Sequence, residues 1–109
     1  MSLSIKGGQG AARILGLRPE IVIGLVIAND VFRELGFDCV VTAGIDGSHS
    51  RGSIHYKALA VDLRARHIPA PEHPKITAKL KERLGDDFDV VFETDHWHLE
   101  FDPKTPINA

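Results

Sequence analysis

Histidine and acidic residues alternate along a short segment near the end of the chain. His96, His98 and Glu100 are separated by single residues. The residues that follow each of them are apolar: Trp97, Leu99 and Phe101. Successive side chains of an extended strand point to opposite faces, so the polar residues would share one face while Trp97 points into the core. Because buried imidazoles and carboxylates need partners, the polar face is either exposed to solvent or part of a site.

A second segment, earlier in the chain, supplies the complementary groups. His55 and Asp62 lie seven residues apart, and Asp62 belongs to an alternating run that predicts a strand. A turn between them would bring both side chains to one point. Together with His98 they offer two imidazoles and one carboxylate, a ligand set that suits zinc and leaves a fourth position open for water. Three protein ligands with an open position are typical of catalytic zinc.

Two motifs in these segments resemble those of a known family. Residues 53–62 read Ser-Ile-His-Tyr-Lys-Ala-Leu-Ala-Val-Asp, and residues 95–98 read Asp-His-Trp-His. They resemble the Ser-x-His-x-x-Gly-x-Ala-x-Asp and His-x-His signatures of zinc D-alanyl-D-alanine carboxypeptidases and phage L-alanyl-D-glutamate endolysins. The larger group includes lysostaphin and the hedgehog signalling domain. Over roughly residues 40–101, the resemblance implies one zinc ion per chain with His55, Asp62 and His98 as ligands.

The resemblance also implies a role for Asp95, and strand geometry and hydrogen-bonding capacity indicate roles for the residues around it. Asp95, three residues before the last ligand, corresponds to the general base. His96 is expected to donate to the oxyanion or to orient Asp95, and Ser53 to fix a ligand by a hydrogen bond. Glu93 is an alternative base, but we expect it to point to the opposite side of the hairpin. Glu100 either supports a ligand or is a surface carboxylate.

Two positions depart from the family pattern. Ala58 replaces the family's glycine, and no arginine occurs at 42–46, where members commonly carry one for substrate capture. Arg51 is the nearest cation that could bind a substrate carboxylate or carbonyl, and it could equally be a solvated loop residue. His49 is a further candidate for the lining of the cleft. The missing arginine favours endopeptidase over carboxypeptidase action.

The remaining pattern predicts the elements that position these residues. Helices are expected at about 19–35 and 74–84, and strands at 39–43, 59–64, 88–93 and 97–101, with a hairpin connection at 94–96. The segment 45–53 is rich in glycine and predicts a loop. The sum is an α+β domain with helices packed on a mainly antiparallel sheet, and the resemblance implies a hedgehog-like or D-alanyl-D-alanine-peptidase-like fold.

Composition limits the size and the partners of the chain. Its 109 residues fit one domain, which we expect at 13–103 between a flexible N-terminus (1–12) and a C-terminal tail (104–109). The net charge of -2 and the lack of a basic stripe argue against nucleic acid or an anionic membrane as partners. Nothing resembles a secretory signal, so we expect cytoplasmic synthesis, with release to the cell wall by a separate lysis system. The only cysteine, Cys39, is expected to be a buried free thiol.

These observations lead to two hypotheses. The first is a zinc metallopeptidase that hydrolyses peptides containing D-amino acids, with the stem peptide of peptidoglycan as substrate and with a phage origin. The second is a non-catalytic zinc-binding module on the same fold, for example a structural component of a virion. Turnover that depends on Asp95 would distinguish them.

Overall fold

The chain forms one five-stranded sheet with two helices packed against it. The computed structural model describes residues 3–5, 18–43 and 60–103. The strands are β1 (Leu3–Ile5), β2 (Cys39–Ala43), β3 (Ala60–Arg64), β4 (Phe88–Glu93) and β5 (His96–Phe101). The helices are α1 (Pro19–Glu34) and α2 (His73–Leu84), and a short 3-10 helix (Ala70–Glu72) precedes α2. The strand order is β1-β2-β3-β5-β4, with β1 parallel to β2 and every other pair antiparallel. The predicted α+β class is confirmed, whereas the likeness to the hedgehog fold stays a prediction.

Helix α1 begins at the predicted residue and ends one residue before the predicted end. Pro19 occupies the first turn, where a missing N–H costs no hydrogen bond. After the last turn, Gly36 adopts a φ of +88°, and the N–H of Phe37 donates to the carbonyl of Phe32 at 2.9 Å. This 6→1 bond satisfies a carbonyl that the helix end would otherwise leave unpaired. The chain then turns directly into β2.

One face of the sheet packs against both helices and forms the core. The buried sheet residues on this face include Val41, Val61, Leu63, Val90, Trp97 and Leu99. Trp97 is fully buried, stands edge-on to Phe32 with ring centroids 5.4 Å apart, and donates from Nε1 to Thr77 Oγ1 at 2.8 Å. The predicted core position of Trp97 is therefore confirmed. Because β5 alternates, burial of Trp97 turns His96 and His98 to the other face.

Two further features bear on the sequence expectations. Residues 3–5 pair with β2, although the segment 1–12 was expected to be flexible. Cys39 is a free and fully buried thiol, as predicted, and burial raises its pKa to about 12. Among the helices of the described residues, none combines the length and the apolar character that crossing a membrane requires.

Candidate metal centre and adjoining cleft

The face of the sheet opposite the helices carries the residues singled out by the sequence. In the antiparallel register of β3 and β5, Asp62 lies directly across from His98, and Arg64 lies across from His96. Alternate residues of one strand share a face, so these four side chains form a two-by-two set. We call this polar surface the site face, defined by Asp62, Arg64, His96, His98 and Glu100. The strand pairing itself thus brings together two of the three predicted zinc ligands.

His98 is held between two carboxylates. It donates from Nδ1 to Asp62 Oδ1 at 3.1 Å and from Nε2 to Glu100 Oε1 at 2.7 Å. The side chains of His98 and Asp62 are 21% and 17% exposed, so this pair is mostly shielded from water. This contact agrees with the prediction that Glu100 supports a ligand. It does not agree with the alternative prediction, that Glu100 is only a surface carboxylate.

The geometry of this pair fits a shared metal ion. Two atoms bound to one tetrahedral zinc at about 2.0–2.2 Å lie about 3.3–3.5 Å apart, close to the 3.1 Å between His98 Nδ1 and Asp62 Oδ1. A histidine that binds metal through one nitrogen commonly donates the other ring N–H to a carboxylate, as His98 does to Glu100. The donor set is therefore compatible with zinc, which Nδ1 of His98 and Oδ1 of Asp62 would hold.

The same contacts control the protonation of His98. The hydrogen bond with Asp62 raises its pKa, burial opposes this, and the hydrogen bond with Glu100 adds to the rise, giving a pKa of about 9. Without metal, the imidazole is therefore protonated at neutral pH. Because zinc binds only the neutral ring, metal must displace a proton, and its affinity falls as the pH is lowered.

His96 connects Asp62 and His98, called the metal pair below because they are the two predicted zinc ligands on the site face, to the hairpin between β4 and β5. It donates from Nδ1 to Asp95 Oδ1 and from Nε2 to Glu93 Oε1, both at 3.0 Å, while Asp62 Oδ2 lies 3.9 Å from Nε2. Burial works against protonation of His96, but the bond with Asp95, the charge of Asp62 and the bond with Glu93 outweigh it and raise the pKa. In return, the hydrogen bond from His96 lowers the pKa of Asp95. His96 thus makes the contact that an orienting role toward Asp95 requires, and the role itself stays a prediction.

The expectation that Glu93 points away from the site is wrong, and the turn explains why. The sequence predicted a connection at 94–96, which would place Glu93 across from Trp97 and on the core face. In the structure only Thr94 and Asp95 form the turn, Thr94 has a φ of +48°, and β5 begins at His96. Glu93 is then the cross-strand partner of His96 and shares the site face. One residue of loop length reverses the side to which Glu93 points.

A cleft adjoins the metal pair on this face. It has a volume of about 260 Å³, and Asp62, Asp95 and His96 lie along it together with two arginines. Its lining residues are Thr42, Asp62, Arg64, Arg66, Asp95 and His96. The Asp95 side chain is 60% exposed, so its carboxylate is accessible to a molecule in the cleft. Among the acids of the hairpin, Asp95 lines this cleft and Glu93 does not.

A second group of acids lies beside the pair, and the sequence analysis missed it. Asp89, Glu100 and Asp102 each offer a carboxylate oxygen, and these atoms lie within 4.8 Å of one another. Asp89 is the cross-strand partner of Glu100, so both lie on the site face. This all-oxygen group could bind a metal ion, and Glu100 connects it to His98. Alternation along β4 was visible in the sequence, but its register against β5 was not.

Several predicted residues lie outside the described part of the chain. These are the ligand His55, the substrate-binding candidates Arg51, Ser53 and His49, and the substituted position Ala58. Their predicted roles stay predictions. Of the eight site residues proposed from the sequence, the structure brings together Asp62, Asp95, His96 and His98. Arg64 was not singled out, although its position two residues after Asp62 on the same strand face would have indicated it.

Comparison with known proteins neither supports nor contradicts the motif resemblance. No protein-family model, curated protein or solved structure matches the chain. The resemblance of residues 53–62 and 95–98 to zinc peptidases therefore stays an expectation.

Proposed function

We propose that this chain is a zinc-dependent peptidase that hydrolyses peptides containing D-amino acids, with the stem peptide of peptidoglycan as substrate. The proposal is carried by one observation: Asp62 Oδ1 lies 3.1 Å from His98 Nδ1, and Asp62 also lines a cleft that holds Asp95. A metal site of mixed nitrogen and oxygen ligands beside an accessible carboxylate is the minimum that metal-assisted hydrolysis needs. The motif resemblance supplies the substrate class.

Asp62 and His98 would hold the zinc ion together with the predicted ligand His55. Bound zinc supplies a Lewis acid that polarises a carbonyl and lowers the pKa of water from 15.7 to about 7. Glu100 fixes the ring of His98 through Nε2, so that Nδ1 stays directed at Asp62. Such outer partners raise the basicity of the ligand and set its orientation.

Asp95 would act as the proton carrier of the reaction. The hydrogen bond from His96 lowers the pKa of Asp95, so the carboxylate is an ionised but weak base, and proton transfer to it depends on bound zinc lowering the pKa of the attacking water. The same group can then pass the proton to the leaving amine. His96 orients this carboxylate through Nδ1, and Glu93 secures His96 from the other side. Glu93 thus has a supporting role, separate from the base.

The test is hydrolysis of purified peptidoglycan by the zinc-loaded protein, measured as new amino groups and released D-alanine. We expect Asp95→Asn to lower the rate by about 10²- to 10⁴-fold, the range for a general base, while one zinc per chain is retained. The matched control is Asp30→Asn on α1, whose exposed carboxylate pairs with Arg83 at 3.8 Å and does not line the cleft.

The outcomes separate the two hypotheses. If wild type and Asp30→Asn generate new amino groups or D-alanine from peptidoglycan and Asp95→Asn does not, the peptidase hypothesis is supported. If wild type and Asp95→Asn are equally inert while both bind one zinc, the enzyme hypothesis fails and a non-catalytic zinc-binding module takes its place. The distribution of new amino groups and free D-alanine also tells an endopeptidase from a carboxypeptidase.

A further inference from the structure

We propose that Arg64, held in place by His67, binds a carboxylate of the substrate next to the bond that is cleaved. This inference rests on the proposed peptidase function and extends it by assigning a substrate group to a residue. It makes the preferred substrate a peptide with a free carboxylate close to the scissile bond. It also supplies the cation that the sequence lacks at 42–46.

Arg64 lies one step along the site face from the metal pair. It follows Asp62 by two residues on β3 and lies across from His96 on β5. Alternate residues of a strand are about 6.4–6.8 Å apart, roughly the span of two residues of an extended peptide. The half-buried side chain lines the same cleft as Asp62 and Asp95. A group bound by Arg64 is therefore near any bond that Asp95 can reach.

A chain of hydrogen bonds holds Arg64 in this position. Its Nε donates to His67 Nδ1 at 3.4 Å, and His67 Nε2 donates to the carbonyl of Asp38 at 2.8 Å. Arginine can only donate and a carbonyl can only accept, so His67 must carry its proton on Nε2. The ring thereby links Arg64 to the residue directly before β2. An arginine fixed in this way loses less side-chain entropy when it binds a ligand.

The terminal nitrogens of Arg64 remain available for a ligand. Within the described residues, Arg64 forms no ion pair with an acid, and its contact with His67 uses only Nε. The two terminal N–H₂ groups form a planar fork that matches the two oxygens of a carboxylate. A half-buried guanidinium that has no acidic partner among the described residues, in a cleft that also holds Asp62, is therefore suited to an anionic group of the substrate.

Arg66 lines the same cleft but has a different role. It is exposed, and its positive charge contributes to lowering the pKa of Asp95. His67 buttresses Arg64 and no such contact holds Arg66 among the described residues. This difference makes Arg66→Gln the variant that separates a general charge effect from a specific contact.

The first experiment measures binding and does not require turnover. Zinc-loaded protein is titrated with N-acetyl-D-alanine and with its amide, followed by NMR. We expect wild type to bind the acid at least ten times more tightly than the amide, and Arg64→Gln to lose this preference with one zinc retained. Arg64→Lys should recover part of it, because the charge stays and the fork is lost. Arg33→Gln, an exposed arginine at the end of α1, is the matched control and should behave as wild type.

The second experiment identifies which carboxylate is bound. One peptide ends in D-alanyl-D-alanine, and another contains an L-alanyl-γ-D-glutamyl bond; each is prepared with its carboxylate free or amidated. Arg64→Gln should raise KM at least tenfold, with little change in kcat, only for the free form of the peptide that is cleaved. His67→Phe should give a smaller rise in KM, because the guanidinium remains but is no longer positioned.

The failures of the two proposals are distinguishable. Hydrolysis with no preference for the free carboxylate, or a preference that persists in Arg64→Gln, overturns the role of Arg64 and leaves the peptidase intact. A preference lost equally in Arg66→Gln and Arg64→Gln overturns the specific contact. Binding of N-acetyl-D-alanine that needs Arg64, in a protein that hydrolyses neither peptide, overturns the peptidase and supports the carboxylate site.

Discussion

The two faces of the sheet differ in what their side chains contact, and neighbouring residues of β5 show the difference. Trp97 is fully buried between helices and strands, with ring contacts to Phe32, Phe92 and His73. His98, the next residue along the strand, lies on the other face and donates to the carboxylates of Asp62 and Glu100. Packing on the core face positions β5, and the polar residues of the candidate site lie on the site face. Substitutions on the two faces should therefore be separable in stability and in function.

The largest expected effect on stability is on the core face. Trp97→Ala removes the largest buried side chain and leaves Thr77 without its hydrogen-bond donor. We expect a loss of about 3–5 kcal/mol in the free energy of unfolding, out of a total of about 5–15 kcal/mol for a domain. Chemical denaturation of the metal-free protein measures it. A loss below about 1 kcal/mol would contradict the assignment of Trp97 to the core.

The matching change on the site face should spare the fold and remove the metal. His98→Ala deletes a predicted zinc ligand whose removal should weaken zinc binding by more than about 100-fold, the upper range for losing only an outer partner of a ligand. Elemental analysis after gel filtration measures zinc per chain, and circular dichroism checks the fold. Stoichiometric zinc in His98→Ala would rule out His98 as a ligand.

A smaller effect is expected from the outer partner of His98. Glu100→Gln keeps the shape of the side chain but removes the charge that accepts the N–H of Nε2. We expect zinc affinity to fall by about 10- to 100-fold, with one zinc still bound at saturation. Competition with a chelator of known affinity measures the change. Asp89→Asn is the informative companion, since an unchanged zinc affinity there separates the His98 site from the neighbouring acidic group.

The smallest effect concerns pH in the metal-free protein. The folded pKa of His98 is raised to about 9 from an ordinary value of 6.5, so protonation stabilises the folded state. This stabilisation is complete below pH 6.5 and is lost as the pH rises through about 9. The free energy of unfolding, measured in the presence of a chelator that keeps the protein metal-free, should therefore be lower at pH 8.5 than at pH 6. In His98→Gln the difference between the two pH values should be smaller. His96 has the same direction of shift, so part of the decrease should remain.

Alternation within single strands predicted much of the site. It placed His96 and His98 on one face and Trp97 in the core, and the Asp62 strand begins within one residue of its expected position. These predictions succeed because burial of one face fixes the direction of every side chain along a strand. Boundaries of α1 followed in the same way from Pro19 and Gly36, which restrict the backbone at its two ends.

Relations between strands could not be predicted in this way. The pairing of Arg64 with His96, the approach of Asp89 to Glu100 and the side taken by Glu93 all depend on register. Register is set by turn geometry and by packing across the sheet, which one strand's pattern does not contain. Residues 3–5 are likewise too short to show a period, and only their pairing with β2 identifies them as a strand.

The two-residue turn at Thr94 and Asp95 makes this hairpin sensitive to whether an odd or an even number of residues is inserted there. Burial of Trp97 anchors β5, so an inserted residue would shift β4 by one position and exchange Phe92 and Glu93 between the faces. An odd insertion would thus place a carboxylate in the core, whereas an even one would preserve the faces. Length changes that this chain can tolerate at the turn should therefore come in twos.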